Sequence, residues 1–182
     1  MIESTIGKPG YEPARITIYV KDRGIVLEES SMALVNRDTG LIIAMGNAAE
    51  EAIDQAVTPV TAVNPLRRGI IASYMLAERM FCSYLRRALG YDRSMVKRLT
   101  GATVKKPRVA VCVPEELTEV EEKAFMDAFY QAGARDVCLT GQPLEEAVRC
   151  LEKPCTVFVG ITWNGKEKEC FCINENCPHR IF

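Results

Sequence analysis

Apolar and polar positions fall into blocks along this chain, and the clearest block covers residues 105–143. Residues 108–113 form a short apolar run rich in β-branched side chains and stopped by Pro114, the pattern of a strand buried on both faces. Thr118 and Glu121 make a capping box that opens a helix, with Val120, Ala124, Phe125, Ala128 and Phe129 at helical spacing on one face. Gly133 supplies the left-handed position that ends it. Residues 137–140 are a second short strand, and Pro143 stands where the next helix begins. So short a crossover predicts parallel strands with the helix packed across one face of their sheet.

The flanking segments are less regular. Residues 1–14 hold Pro9, Gly10 and Pro13 and no periodicity, which predicts an arm. Residues 16–20 alternate as a strand, Asp22-Arg23-Gly24 turns, and residues 25–27 return. Residues 31–35 and 41–45 predict a second strand pair around the polar turn 36–40. Asn47 is the expected cap of a helix over 48–56, with Glu50 in the reciprocal position. Residues 58–65 read as a connector closed by prolines, and Ser73 opens the longest helix, to about Leu89, burying Leu76, Met80 and Tyr84. At the other end, a helix over 143–152 is stopped by Pro154. Residues 156–163, Asn164-Gly165 and 166–173 then predict a hairpin that extends the same sheet.

Composition narrows the classes. A chain of 182 residues, 48% hydrophobic, fits one domain with a real core. With 23 basic and 24 acidic residues the net charge is -1, so no global field points to nucleic acid. No secretory leader and no apolar run of about 18 residues is evident, which makes a soluble cytoplasmic protein the expectation. Of the eight cysteines, Cys82, Cys112 and Cys138 fall in predicted core elements, where a thiol behaves as a small hydrophobe.

Two stretches carry candidate chemistry. Cys170, Cys172, Cys177 and His179 give four soft ligands within ten residues, able to hold zinc tetrahedrally; the alternative is a thiol-rich tail without metal. His179 has no catalytic company. Arg86, Arg87, Arg93, Lys97, Arg98, Lys105 and Lys106 surround Met95, Val96 and Leu99, and residues 93–99 would make an amphipathic turn suited to an anionic membrane surface. The bland alternative is a solvated charged face. The acidic cluster over 115–122 fits a helix start and its dipole, while Glu28 and Glu29 are expected as surface charge at a turn edge.

The local wording also resembles a known family. GIVLEESSMAL (24–34), NPLRRGIIASY (64–74), PRVAVCVPEELTEVE (107–121) and AGARDVCLTGQP (132–143) are similar to MreB, the bacterial actin homologue that shapes rod cells, whose counterparts run close to GIVLNEPSVVA, RPLKDGVIADF, PRVVICVPSGITEVE and AGAREVYLIEEP. The resemblance implies an α/β, actin-like (ribonuclease H-like) first-domain fold: a mixed sheet with flanking helices and the second domain absent. The implied division is an arm over 1–14, one domain over 15–173 and a Cys/His tail over 174–182. Family members also bind membrane through a loop in the region of Arg93, Met95, Val96, Lys97, Arg98 and Leu99.

The departures from the family bear on activity. The family's first strand ends in an Asp-Leu-Gly-Thr turn for metal and phosphate, where this chain has Ile6-Gly7-Lys8-Pro9-Gly10 and no Asp. An acidic pair before Pro143 is replaced by Gly141-Gln142, with Gln142 at the water-positioning place, as in actin. The second phosphate loop, an Asp followed by glycines, falls at Val159-Gly160-Ile161-Thr162-Trp163, with one glycine and no acid. A phosphate cradle needs converging backbone amides and a carboxylate for magnesium. The chain also stops where the family's second domain would start.

The expectation is therefore a non-catalytic MreB-like cytoskeletal or cell-shape interaction protein, without ATP or magnesium. It would bind a full-length filament protein, itself or an anionic membrane, in the cytoplasm or at the inner face of the membrane. A small zinc- or thiol-binding module on an actin-like scaffold is the alternative, and an ATP-dependent polymer-forming homologue a further one.

Overall fold

The computed structural model describes residues 13–53, 55, 59–90, 106–113, 117–150 and 155–163. In chain order they form β1 Arg15–Val20, β2 Gly24–Ser30, β3 Ala33–Asn36, β4 Ile42–Met45, α1 Asn47–Ile53, β5 Val60–Val63, β6 Leu66–Arg67, β7 Ile70–Ile71, α2 Tyr74–Leu89, β8 Arg108–Cys112, α3 Glu119–Gln131, β9 Asp136–Thr140, α4 Leu144–Cys150 and β10 Val157–Thr162.

The strand, helix, strand unit forms as its pattern predicts. β8 and β9 pair in parallel from Arg108 opposite Asp136 to Cys112 opposite Thr140. Thr118 Oγ1 accepts from the Glu121 amide at 3.3 Å, and the Glu121 carboxylate accepts from the Thr118 amide at 2.8 Å. Gly133, at φ 102, lets its own amide reach the Tyr130 carbonyl and that of Ala134 reach Phe129, which stops α3.

The main sheet runs β2-β1-β10-β8-β9. α2 and α3 cover one face, where Phe81, Phe125 and Phe129 meet Ile16, Ile18, Val109, Val111, Val157 and Val159. Phe81 stacks on Phe129 with ring centroids 4.5 Å apart. Each such ring is worth roughly 1.5–3 kcal/mol of burial, far above any helix-propensity difference per residue, so packing holds these helices. α4 covers the opposite face, where Ala147 packs with Ala110, Cys112 and Phe158.

Several expectations are corrected. β10 lies in the middle of the sheet, antiparallel to β1 over its whole length and parallel to β8 from Val157 to Gly160. Both its edges are occupied there, so a hairpin return finds no edge over 157–160; residues 166–173 lie outside the described ones. The connector contains β5, which pairs with β3 from Ala33 opposite Val63 to Asn36 opposite Val60. The end of the N-terminal arm is packed: Ala14 is fully buried and exchanges hydrogen bonds with Ser31, at 2.9 and 2.8 Å. Val120 is 78% exposed, because the first turn of α3 is held by its capping box and the apolar stripe reaches the core only from Phe125 onward. On α2 the buried face passes through Ala77, Met80, Phe81, Tyr84, Leu85 and Ala88, leaving Leu76 half-buried.

A second, three-stranded sheet, β4-β3-β5, has its own apolar cluster: Met32, Leu34, Ala49 and Val60, with Ala44, Ala52, Ile53 and Ala62 packed against it. α1 supplies Ala49, Ala52 and Ile53 to it.

Candidate functional site

β8, β9 and β10 run parallel, so their carboxyl ends open on one end of the main sheet, where ligands of open α/β sheets gather. The residues there are Cys112 and Val113, Thr140 to Pro143, and Ile161 to Trp163, with Arg15 of antiparallel β1 opposite Thr162. The Val113 amide donates to the Thr140 carbonyl at 2.9 Å, and the Gln142 amide to Thr140 Oγ1 at 3.2 Å. Gln142 is half-buried in this turn. At the end of β10, the β6–β7 turn brings the Arg68 guanidinium 6.0 Å from the centre of the Trp163 ring.

The described residues at this end of the sheet have little of what a metal-bound phosphate needs. None of the residues just named carries a carboxylate. Gly160 is not part of a cradle: it is a mid-strand residue paired with Thr17 and Cys112. A side chain there would come within 3.1 Å of Leu144 Cβ, so glycine serves the close packing of α4 on β10.

A second polar cluster, which the sequence reading misses, lies between β2, α1 and α2. Glu29 is only 7% exposed, not a surface charge, whereas neighbouring Glu28 is exposed. Glu29 Oε1 accepts from Arg87 Nη2 at 2.5 Å, and Oε2 accepts from the Asn47 amide at 2.7 Å. The Glu29 carboxylate thus holds the start of α1, and the Asn47 side chain does not cap its own helix. Asn47 turns back instead, its Oδ1 accepting from Arg15 and from the Ser30 amide and its Nδ2 donating to the Glu28 carbonyl. Tyr84 donates to the Ser30 carbonyl at 2.6 Å, and burial, reinforced by Glu29, pushes its phenol above the ordinary value. The signal available in sequence was Glu29-Ser30-Ser31, a polar run directly after an alternating strand.

The residues singled out from sequence are otherwise scattered. Arg93, Met95, Val96, Lys97, Arg98 and Leu99, and likewise Cys170, Cys172, Cys177 and His179, lie outside the described residues. Arg87 is tied to Glu29, while Arg86 and Lys106 are exposed. Cys82, Cys112 and Cys138 are thiols. Burial, with Cys138 nearby, pushes the Cys112 thiol up to about 12, so it stays protonated. Among the described residues no three His, Cys, Asp or Glu side chains gather to hold a metal, and no helix is long and apolar enough to cross a membrane.

The sequence model of the MreB/Mbl protein family matches residues 12–153. The chain belongs to the MreB/Mbl family. The cell shape-determining protein Mbl of Bacillus cereus is 32% identical over 135 residues, and MreB of Escherichia coli is 30% identical over 139. Each match covers 74% of this chain and 38% of the relative, so the chain spans well under half the length of these MreB and Mbl proteins. The crystal structure of MreB5 of Spiroplasma citri bound to ADP superposes with a TM-score of 0.56 over 75% of this chain and 38% of that one, at 23% identity. The fold is therefore the actin-like one of MreB, with a mixed sheet and flanking helices. β10, which completes the main sheet, begins beyond the matched segment.

Proposed function

We propose that this MreB-like chain is a non-catalytic cytoskeletal or cell-shape interaction protein that neither hydrolyses nor requires ATP. One observation carries the reading: among the described residues, the carboxyl ends of β8, β9 and β10 bring together Cys112, Val113, Thr140, Gln142, Thr162 and Trp163, none of which offers a carboxylate for magnesium, and β10 runs as a regular paired strand through Gly160. The partner is a filament of an MreB-like protein or a second copy of this chain, in the cytoplasm. The stretch with Arg93, Met95, Val96, Lys97, Arg98 and Leu99 is its contact with the inner face of an anionic membrane.

Calorimetric titration with Mg-ATP, read beside phosphate release, metal content and co-sedimentation with filaments of an MreB-family protein, tests this. The expected result is no saturable heat, no phosphate and co-sedimentation. Saturable binding with phosphate release would return the chain to the ATP-dependent polymers. Stoichiometric zinc without co-sedimentation would favour the module built on Cys170, Cys172, Cys177 and His179.

A further inference from the structure

The small sheet and the main sheet keep separate apolar cores, and the seam between them is polar. Met32, Leu34, Ala49 and Val60 pack among themselves, while the residues of the main cluster lie on β1, β2, β8, β9, β10, α2 and α3 and the segments beside them. Met45 reaches across to the main cluster. The chain crosses the seam beside Ser31 and again beside Asn64, and these two side chains bond to each other at 2.6 Å. Asn64 also accepts from the Leu66 amide at 3.2 Å, so both crossings are fixed at one point. Away from that point the seam is joined by the Glu29 carboxylate on the start of α1, by Asn47 on β2 and by the Arg15 guanidinium of β1, which donates to Asn47 Oδ1 at 3.0 Å.

We propose that β3, β4, β5 and α1 move as one body about the Ser31–Asn64 crossing, and that Glu29, anchored by Arg87, is the latch that holds this body against the main sheet. Units with separate cores and a polar interface move relative to one another by default, and a hinge needs only a few residues at the crossings. The latch fits closely: Gly46, at φ 72, lies against the Glu29 carboxylate and the Tyr84 hydroxyl, leaving no room for a side chain. Glu29 satisfies the Asn47 amide with one oxygen and Arg87 with the other. Glutamine has a single acceptor oxygen and serves only one of the two. The proposal does not depend on whether the chain binds nucleotide.

The test measures distance distributions by pulsed electron spin resonance on the full chain, with spin labels on non-natural ketone side chains, which leaves the cysteines untouched. One pair, at exposed Thr39 and Arg135, spans the seam; a control pair, at exposed Lys21 and Arg135, stays within the main unit. In Glu29→Gln the seam-spanning distribution should broaden or gain a second population while the control pair stays narrow. An unchanged seam-spanning distribution would overturn the latch. Broadening of both pairs together would show one cooperative body and overturn the hinge.

Discussion

Glu29 on β2 and Arg87 in the last turn of α2 form an ion pair at 2.5 Å across 58 residues of sequence. The two side chains are unequally exposed, at 9% and 47%, so water compensates the loss of one partner better than the other. Arg87→Ala leaves the buried Glu29 carboxylate without its counter-charge and should cost about 3 kcal/mol, whereas Glu29→Ala leaves Arg87 to water and the Asn47 amide without its acceptor and should cost about 2 kcal/mol. Urea denaturation of both single variants and the double variant checks this; a smaller loss for Arg87→Ala than for Glu29→Ala would mean that the helix-start bond, not the pair, carries the energy.

Gly46 has no room for a Cβ, which would overlap the Glu29 carboxylate and lie 2.6 Å from the Tyr84 hydroxyl. Its φ of 72 is costly for any other residue as well. Gly46→Ala should destabilise by about 3 kcal/mol, against about 1 kcal/mol for Gly40→Ala, which has the same backbone sign but open space. Thermal melts of the two variants separate overlap from backbone strain.

Gly160 and Leu144 are matched by shape. Gly160→Ala forces Leu144 to move, Leu144→Ala leaves a gap, and the double variant should recover part of the sum. A coupling of about 1 kcal/mol in favour of the double variant is expected from denaturation midpoints. Strict additivity would mean that α4 shifts freely on the sheet.

Thr118 and Glu121 make stability depend on acid. The backbone amide of Thr118, then its side chain, donate to the Glu121 carboxylate and hold it below the ordinary 4.5. A depressed carboxylate contributes stability that is fully present above its unfolded value and lost as pH falls through the folded one. Thr118→Ala should lower Tm by about 3 °C near neutrality and by less in acid, as the pH falls through the depressed Glu121 value and the carboxylate takes up its proton. An equal loss near neutrality and in acid would show that the carboxylate takes no part.

Much of this architecture is legible locally. The capping box at Thr118, the stop at Gly133 and the turn before Gly24 are written within a few residues of where they act, since turn chemistry and helical periodicity are short-range properties. The same holds for the parallel pairing of β8 and β9, because the helix between them leaves few other arrangements. Family membership was also legible, because its wording lies in these regular stretches.

Other features became visible only in three dimensions. An apolar run such as Val157–Thr162 specifies a buried strand but not its neighbours, so its place between β1 and β8 was decided by the slot those strands leave. Likewise, β5 needs β3 to be a strand at all. Apart from the polar run Glu29-Ser30-Ser31, nothing near Glu29 in sequence marks it as buried, since what neutralises it is an arginine 58 residues away and a helix start 18 residues away. The sequence by itself determined most of the longer strands and helices, how several of them end, and the family. The tertiary structure alone decided which strand completes the sheet and which charge is buried, because both depend on lateral neighbours that a segment's own pattern does not encode.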